Sequence, residues 1–307
     1  MAVERTDAVI AGVNKAGTTS LFVSLSTHPD VAPSSVKETR YFVPPRYGEP
    51  LAPPSVWDGY FADAAGRPVR LEATPSYFYG SERVAGALRD HLVNPHALLV
   101  FREPVSRAVS FFTYQKVRLR FPADESFTDY LAAADRLGPD DFLDPENEKY
   151  MAFRGGCYAD FLPAWLDTLG TDRVHVIDFQ RLVDDQAGTL RTTATQLGLD
   201  PDAFPARALS SENRTTGFKS KSFQRVALAG NDRLEKMLRR HPESKRKLRA
   251  VYYRLNGRKV EETIPASVRA ELAARYEEPN ARLAAQLGAA GYELPTWLTA
   301  DARGQTS

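Results

Sequence analysis

The sequence predicts a three-layer α/β fold with a central parallel sheet and a helical C-terminal part. Three observations carry that expectation. Continuous apolar runs, the mark of strands covered on both faces, alternate with segments of 3.6-residue periodicity. The first such run, Ala8 to Ala11, opens into a glycine-bearing loop followed by a helix-like segment. Strand, helix, strand, helix then repeats along the chain, an order that requires crossover connections onto a parallel sheet.

Taken in order, a strand over Ala8 to Val13 precedes the loop and a helix that stops at His28-Pro29-Asp30, where proline and short polar residues break it. Pro44 to Pro54 is too rich in proline for anything but an irregular surface loop. A short strand over Pro68 to Glu72 leads to a helix over Ser81 to His91, whose apolar positions are Val84, Leu88 and Leu92. Ala97 to Phe101 reads as a buried strand ending in Arg102, and Pro104 starts the next helix at the turn where its missing N–H costs nothing. Beyond the polar loop Gly138 to Gly156, helices are expected over Tyr158 to Leu169 and Leu182 to Leu197, with the strand Val174 to Phe179 between them. Gly198 stops the second of these, and Val268 to Gly288 is the clearest helix of the last third. No internal repeat interrupts this order, and a single domain over 1–307 is expected.

Composition narrows the function. Net charge is +1 in 307 residues, and no run is long and apolar enough to span a membrane. Met1 to Asp7 carries Glu4 and Asp7 and runs into the first strand, so the sequence has no apolar leader segment and a cytoplasmic location is expected, with neither membrane nor nucleic acid as partner. Cys157 is the only cysteine, which excludes an internal disulfide and thiolate zinc sites and points to a packed thiol. No His or carboxylate cluster has ligand spacing, so no metal is implied. His28 and His91 read as structural. Between Arg214 and Lys259 fifteen Lys or Arg face only Asp232, Glu235 and Glu243, a basic stretch that reads as a solvated face or a lure for an anion.

The loop Gly12 to Ser20, Gly-Val-Asn-Lys-Ala-Gly-Thr-Thr-Ser, has the composition of a phosphate cradle. Glycines permit the turn, the following helix offers unpaired N–H groups, and Lys15 adds a full charge. Gly12 and Gly17 have the spacing of a Walker A loop. Thr18, however, stands where the nucleoside-triphosphate lysine belongs, and Lys15 lies two residues before the second glycine. Phosphate chemistry survives this departure better than ATP does.

Several further stretches, in order, resemble the sulfotransferases that use 3′-phosphoadenosine-5′-phosphosulfate (PAPS), especially the heparan sulfate N- and 3-O-sulfotransferase domains. Lys15-Ala16-Gly17-Thr18-Thr19 resembles that family's 5′-phosphosulfate loop, with His28-Pro29-Asp30-Val31 at the usual distance. Glu38-Thr39-Arg40-Tyr41-Phe42 resembles the segment of its catalytic glutamate. Glu72-Ala73-Thr74-Pro75-Ser76-Tyr77-Phe78 resembles a substrate-side motif, and Arg102 through Ser110 the 3′-phosphate motif. Leu294-Pro295-Thr296-Trp297-Leu298 is similar to the end of the N-sulfotransferase domain. The resemblance implies a P-loop-like phosphosulfate-binding loop, with PAPS as donor and PAP as product.

It also implies roles. Lys15 stabilises the leaving phosphate, with Ala16, Gly17, Thr18, Thr19 and Ser20 forming the loop around it. Glu38 is the general base that a poorly nucleophilic hydroxyl needs. Arg102 and Ser110 converge on the 3′-phosphate through a guanidinium fork and a hydroxyl, while Arg107 reads as a surface or capping residue. Lys219 and Lys221 belong to the basic stretch that closes over the donor. Glu72 and Tyr77 lie on the acceptor side, where a small molecule or carbohydrate is expected. Two departures stand out: Ala73 replaces a lysine carried by heparan-acting members, and a late cysteine-bridged loop cannot form. A P-loop small-molecule kinase and a non-catalytic anion-binding protein are the competing readings.

Overall fold

The computed structural model describes residues 5–64, 66–122, 124–205, 216–218, 257–259 and 264–299. They group into two compact units: Met1–Phe111, Ser126–Asn213 and Ile264–Ser307 in the first, Phe112–Glu125 and Arg214–Thr263 in the second. In the second unit the described residues include an antiparallel pair, β6 (Thr216–Phe218) and β7 (Gly257–Lys259), with Gly217 opposite Arg258.

The first unit is built on a five-stranded sheet in the order β2-β3-β1-β4-β5, with every pairing parallel. Its strands are β1 (Thr6–Gly12), β2 (Val31–Pro33), β3 (Val69–Ala73), β4 (Pro95–Phe101) and β5 (Val174–Asp178). β1 and β3 are buried at every residue, the apolar run Ala8–Ala11 of β1 as well as the charged Asp7, Arg70 and Glu72. Pro33 sits on the edge strand, the place where a missing ladder donor is tolerated.

Helices α1 (Thr18–Leu25), α2 (Pro54–Gly59), α3 (Ser81–His91) and α4 (Pro104–Val117) are followed by α5 (Phe127–Ala134), α6 (Leu162–Leu169), α7 (Phe179–Asp184), α8 (Gln186–Gln196) and α9 (Ala266–Ala289). α1 packs on α8 and α3 on α6. Right-handed crossovers put these pairs on opposite faces of the sheet, giving the expected three layers. From β1 the chain moves outward to β2, and after β3 it returns past β1 to β4. The direction therefore reverses between β1 and β4, where parallel α/β sheets open a crevice at their carboxyl ends.

Several boundaries differ from expectation for local reasons. The helix expected over Leu182 to Leu197 is two helices, because Asp178 caps α7 through Gln180 N at 2.9 Å and Asp185 caps α8 through Gly188 N at 2.9 Å. The helix expected from Tyr158 begins at Leu162, after a 3₁₀ turn over Tyr158–Asp160. The proline-rich loop contains a 3₁₀ turn over Pro44–Tyr47, and Gly138 to Gly156 holds three more. β2, α2 and α5 were not expected. β2 has only three residues, and α5 is signalled chiefly by Ser126, which accepts from Asp129 N at 3.0 Å.

Histidine and cysteine take structural places. His28 is buried, with Nε2 2.9 Å from the Asp200 carbonyl and Nδ1 accepting from Asp30 N. Burial pushes the Cys157 thiol up to about 12, the behaviour of a packed, unreactive thiol.

Inside the sheet one charge pair stands out. Asp7, wholly buried in β1, accepts from Nε and Nη2 of Arg70, its register partner in β3, at 2.5 and 3.1 Å, and from Val93 N at 2.9 Å. Arg70 also reaches Asp58 at 2.9 Å and lies 4.9 Å from the Phe61 ring centre. Removing one member of such a pair leaves a buried charge short of its partner. Asp7→Ala is expected to lower unfolding free energy in urea by about 3–5 kcal/mol. A loss below about 1 kcal/mol would show that Asp58 alone suffices for Arg70.

Candidate active site

The site begins where β1 ends. At Gly12 an added Cβ would sit 2.8 Å from Cβ of Phe78, and at Gly17 it would sit 3.0 Å from the Phe179 ring. Gly17 also has φ 75°, a left-handed conformation that only glycine adopts without cost. It is the N-cap of α1, with no side-chain cap and no acidic residue in the first turn. A helix N-terminus whose cap residue supplies no side-chain acceptor is a place where an anion can be met by backbone N–H groups. Lys15 is itself left-handed at φ 71°, a conformation that costs a non-glycine residue about 1 kcal/mol and is characteristic of functional loops.

Arg102, at the end of β4, explains how the loop holds this shape. Its Nη1 donates to the Lys15 carbonyl at 2.8 Å, and its guanidinium lies 4.8 Å from the Phe179 ring centre. Tyr158 donates to the Arg102 carbonyl at 2.7 Å while its ring stacks on Phe101 at 4.5 Å. Arg102 also lines a cavity of about 380 Å³ with Ser106, Phe179, Thr296 and Trp297. The terminal Leu294 to Leu298 stretch is anchored there, because Thr296 N and Oγ1 both donate to Asp178 Oδ2 at 2.8 Å. Ser110 is half-buried, two turns into α4.

Lys15 is the electrostatic centre. Burial first, then the Arg102 charge and the Lys37 charge, bring its ammonium down to about 8 against the opposing pull of Glu38. These groups, drawn from three stretches of sequence, therefore share one neighbourhood. Lys37 Nζ donates to Glu38 Oε1 at 2.9 Å, and the Glu38 side chain is 45% exposed.

The Glu38 turn is strained and pinned. Glu38 has φ 63° and Arg40 φ 58°. The three successive amides of residues 38, 39 and 40 all donate to the end of β3 and the residue after it. Glu38 N reaches the Ala73 carbonyl at 2.9 Å, Thr39 N reaches Glu72 Oε1 at 3.0 Å and Arg40 N reaches Thr74 Oγ1 at 3.2 Å.

The structure corrects three expected side-chain placements. Glu72, expected against the acceptor, is wholly buried and spends Oε1 on Thr39 and Thr74. Tyr77, also expected there, is buried, with its hydroxyl accepting from Phe42 N at 3.0 Å and lying 3.4 Å from Thr39 Oγ1. Arg107, expected at the surface, is fully buried, donating to the carbonyls of Met151 and Ala152 and facing Tyr79, Tyr130, Tyr158 and Tyr276. Lys219 and Lys221 lie outside the described residues. Sequence reasoning missed Phe179 and the two threonines, Thr39 and Thr74; the only signal was that each threonine lies within two residues of a glutamate already singled out.

Comparison with known proteins supplies the context. The family described as the sulfotransferase domain matches residues 5–247 of the chain. Mouse heparan sulfate glucosamine 3-O-sulfotransferase 3B1 is 30% identical over 200 residues, covering 62% of this chain and 46% of its own. Human heparan sulfate glucosamine 3-O-sulfotransferase 6 is 32% identical over 199 residues, covering 62% and 52%. The chain thus spans about half the length of the curated relatives it matches. A sulfotransferase crystal structure from Alicyclobacillus acidocaldarius is similar with a TM-score of 0.58 and 26% identity, covering 68% of this chain and 87% of that one.

The relatives also overturn the expected cytoplasmic location. They are named for heparan sulfate, and a chain spanning half their length gives no compartment through its own first residues. Among the described residues no helix is long and apolar enough to cross a membrane, which leaves the compartment equally open.

Gly17 allows the cradle to be tested without touching a charge. Gly17→Ala is expected to cost about 1–2 kcal/mol through its left-handed backbone, with a further contribution from the Phe179 contact. Chemical denaturation checks this, and unchanged stability would contradict the conformation described.

Proposed function

The chain belongs to the sulfotransferase domain family, and from that membership we propose that it moves a sulfuryl group from PAPS to a hydroxyl or amine of a carbohydrate or small-molecule acceptor. The observation that carries this reading is the convergence of Lys15, Arg102 and Glu38 at the carboxyl edge of the sheet, beside an uncapped helix N-terminus. In the reaction the bond from sulfur to the bridging phosphate oxygen breaks, a bond from sulfur to the acceptor atom forms, and the electron pair stays on the phosphate of PAP. Lys15 and the first-turn N–H groups of α1 meet the charge developing on that oxygen. Glu38, whose carboxylate is partly exposed, takes the acceptor proton. Lys37 holds Glu38 Oε1 until an acceptor arrives. Arg102 braces the Lys15 carbonyl and contributes a cation to the adjoining cavity lined by Ser106, Phe179 and Trp297, which supports our assignment of the 3′-phosphate and adenosine to that cavity. Ser110 is proposed as a hydroxyl partner of the same phosphate.

A hydroxyl of a glucosamine-containing saccharide is the first acceptor to test, because the matching relatives are named for it. The buried Ala73 offers no charge to such a substrate, so hydroxylated metabolites belong in the same panel. A kinase would need lysine directly after Gly17, and a mere anion binder would have no use for Glu38 in a pinned, strained turn.

Adenosine 3′,5′-bisphosphate is expected to raise the thermal midpoint without Mg²⁺; stabilisation by Mg-ATP alone would sink the proposal. With an acceptor selected from the panel, Glu38→Gln is expected to lower kcat by about 100-fold or more while PAP affinity stays within about twofold. Arg102→Ala is expected to weaken PAP binding by about 10- to 100-fold. Normal turnover in Glu38→Gln would remove the base assignment.

The Lys15 shift gives a pH test. A bound dianion favours the ammonium form, so its pKa rises on binding and affinity is greatest below the free value of about 8. PAP affinity measured by calorimetry is expected to weaken as pH rises above about 8, with net proton uptake at that pH, and Lys15→Met is expected to flatten the dependence. An equally steep profile in Lys15→Met would assign the titration to another group.

A further inference from the structure

Glu72 has no task in the proposed chemistry, yet it is the most deeply committed carboxyl near the site. It is wholly buried, and its Oε1 accepts three hydrogen bonds: from Thr39 N at 3.0 Å, Thr39 Oγ1 at 3.1 Å and Thr74 Oγ1 at 2.6 Å. Its Oε2 is buried without a partner among the described residues. Thr74 passes the linkage on, accepting from Arg40 N at 3.2 Å. The residue between the two contacts of β3, Ala73, accepts from Glu38 N. Both left-handed residues of the turn, Glu38 and Arg40, thus flank the one residue that Glu72 grips directly.

We propose that Glu72 is a positioning residue for Glu38, fixing the strained turn 38–40 through Thr39 and Thr74 so that the Glu38 carboxylate stands where an acceptor proton is taken. This rests on the reading of Glu38 as the base. A turn with two left-handed non-glycine residues relaxes unless its amides are held, and the three amide bonds leave it one conformation. Side-chain length matters, since Oε1 must reach both threonines. Charge does not: the three groups that Oε1 meets, Thr39 N, Thr39 Oγ1 and Thr74 Oγ1, are all donors, and an amide oxygen accepts from them as well. Burial raises the carboxyl to about 7, opposed by the bonds from Thr74 and Thr39 and by the Lys37 charge, so a neutral side chain is within its ordinary behaviour here.

The test uses the full chain with labelled PAPS, reading sulfate transfer both to the acceptor chosen from the panel and to water, which is always present. Glu72→Ala is expected to lower kcat by about 100-fold with the PAP dissociation constant and donor KM unchanged within about twofold, as a misplaced catalytic group does. Glu72→Gln is expected to restore kcat to within about threefold. In the Glu38→Gln background, Glu72→Ala is expected to cause no further loss, since it acts through the carboxylate already removed. If Glu72→Ala does not fold, Thr39→Ala, at a half-buried position, takes its place with an expected loss of about tenfold in kcat alone. Unchanged kcat in either variant, failure of glutamine to rescue, or a full additional loss in the Glu38→Gln background would each overturn the proposal. Normal turnover in Glu38→Gln would instead remove the base assignment, and absence of any sulfate transfer would remove the sulfotransferase reading; each is separable from a failure at Glu72.

Discussion

Parallel pairing of β1 with both β3 and β4 is the constraint on which the site depends. Parallel strands end at the same edge, so three connections distant in sequence must leave the sheet side by side: the loop after β1, Thr74 after β3 and Arg102 after β4. The contacts between them follow. Arg102 reaches one strand over to the Lys15 carbonyl, and the end of β3 reaches the Glu38 turn. Asp7 and Arg70 tie β1 to β3 toward the opposite end, so register and site geometry are set by the same strand pair. A slip in that pairing would separate Asp7 from Arg70 and carry the end of β3, with the Glu38 turn it holds, out of step with the loop after β1.

Electrostatics then gives the edge its chemical bias. Burial disfavours the charge on both Lys15 and Arg102, and Arg102 makes Lys15 harder still to charge. Glu38, the acid that acts on Lys15, is half in solvent and shared with Lys37. An anion bound beside these two cations would favour their charged forms. Strain at Lys15 belongs to the same arrangement: the carbonyl is turned toward Arg102, and the glycine that follows lets α1 begin without a cap of its own.

Much of this was legible in the sequence where residue type and backbone are linked. Gly12, Gly17 and Lys15 stand out because a tight turn before a helix needs them; Arg102 stands out because it ends an apolar run. Helices α3 and α9 were legible from periodicity. Side-chain direction was not. In a strand covered on both faces, all five residues of β3 are buried, so alternation offers no clue to where Glu72 points. Arg107 was misread for a related reason: the tyrosines that surround it come from four separate segments, and nothing near it in sequence announces a buried cation. Caps at Asp178 and Asp185 were equally visible as residue types, but apolar periodicity runs across them and conceals the break.

Turning Glu72 and Tyr77 inward changes what the acceptor can meet. Both side chains are spent on the Glu38 turn, Glu72 through Thr39 and Thr74, Tyr77 through Thr39 and Phe42. The side chains that the turn leaves at the surface are Glu38 and Arg40, with Lys37 half-buried beside them. One layer holds position and the layer above it meets solvent, so rigidity and chemistry are assigned to different residues of one short segment. That division is what a general base requires: a carboxylate exposed enough to accept a proton, on a backbone that cannot drift from the atom it must reach.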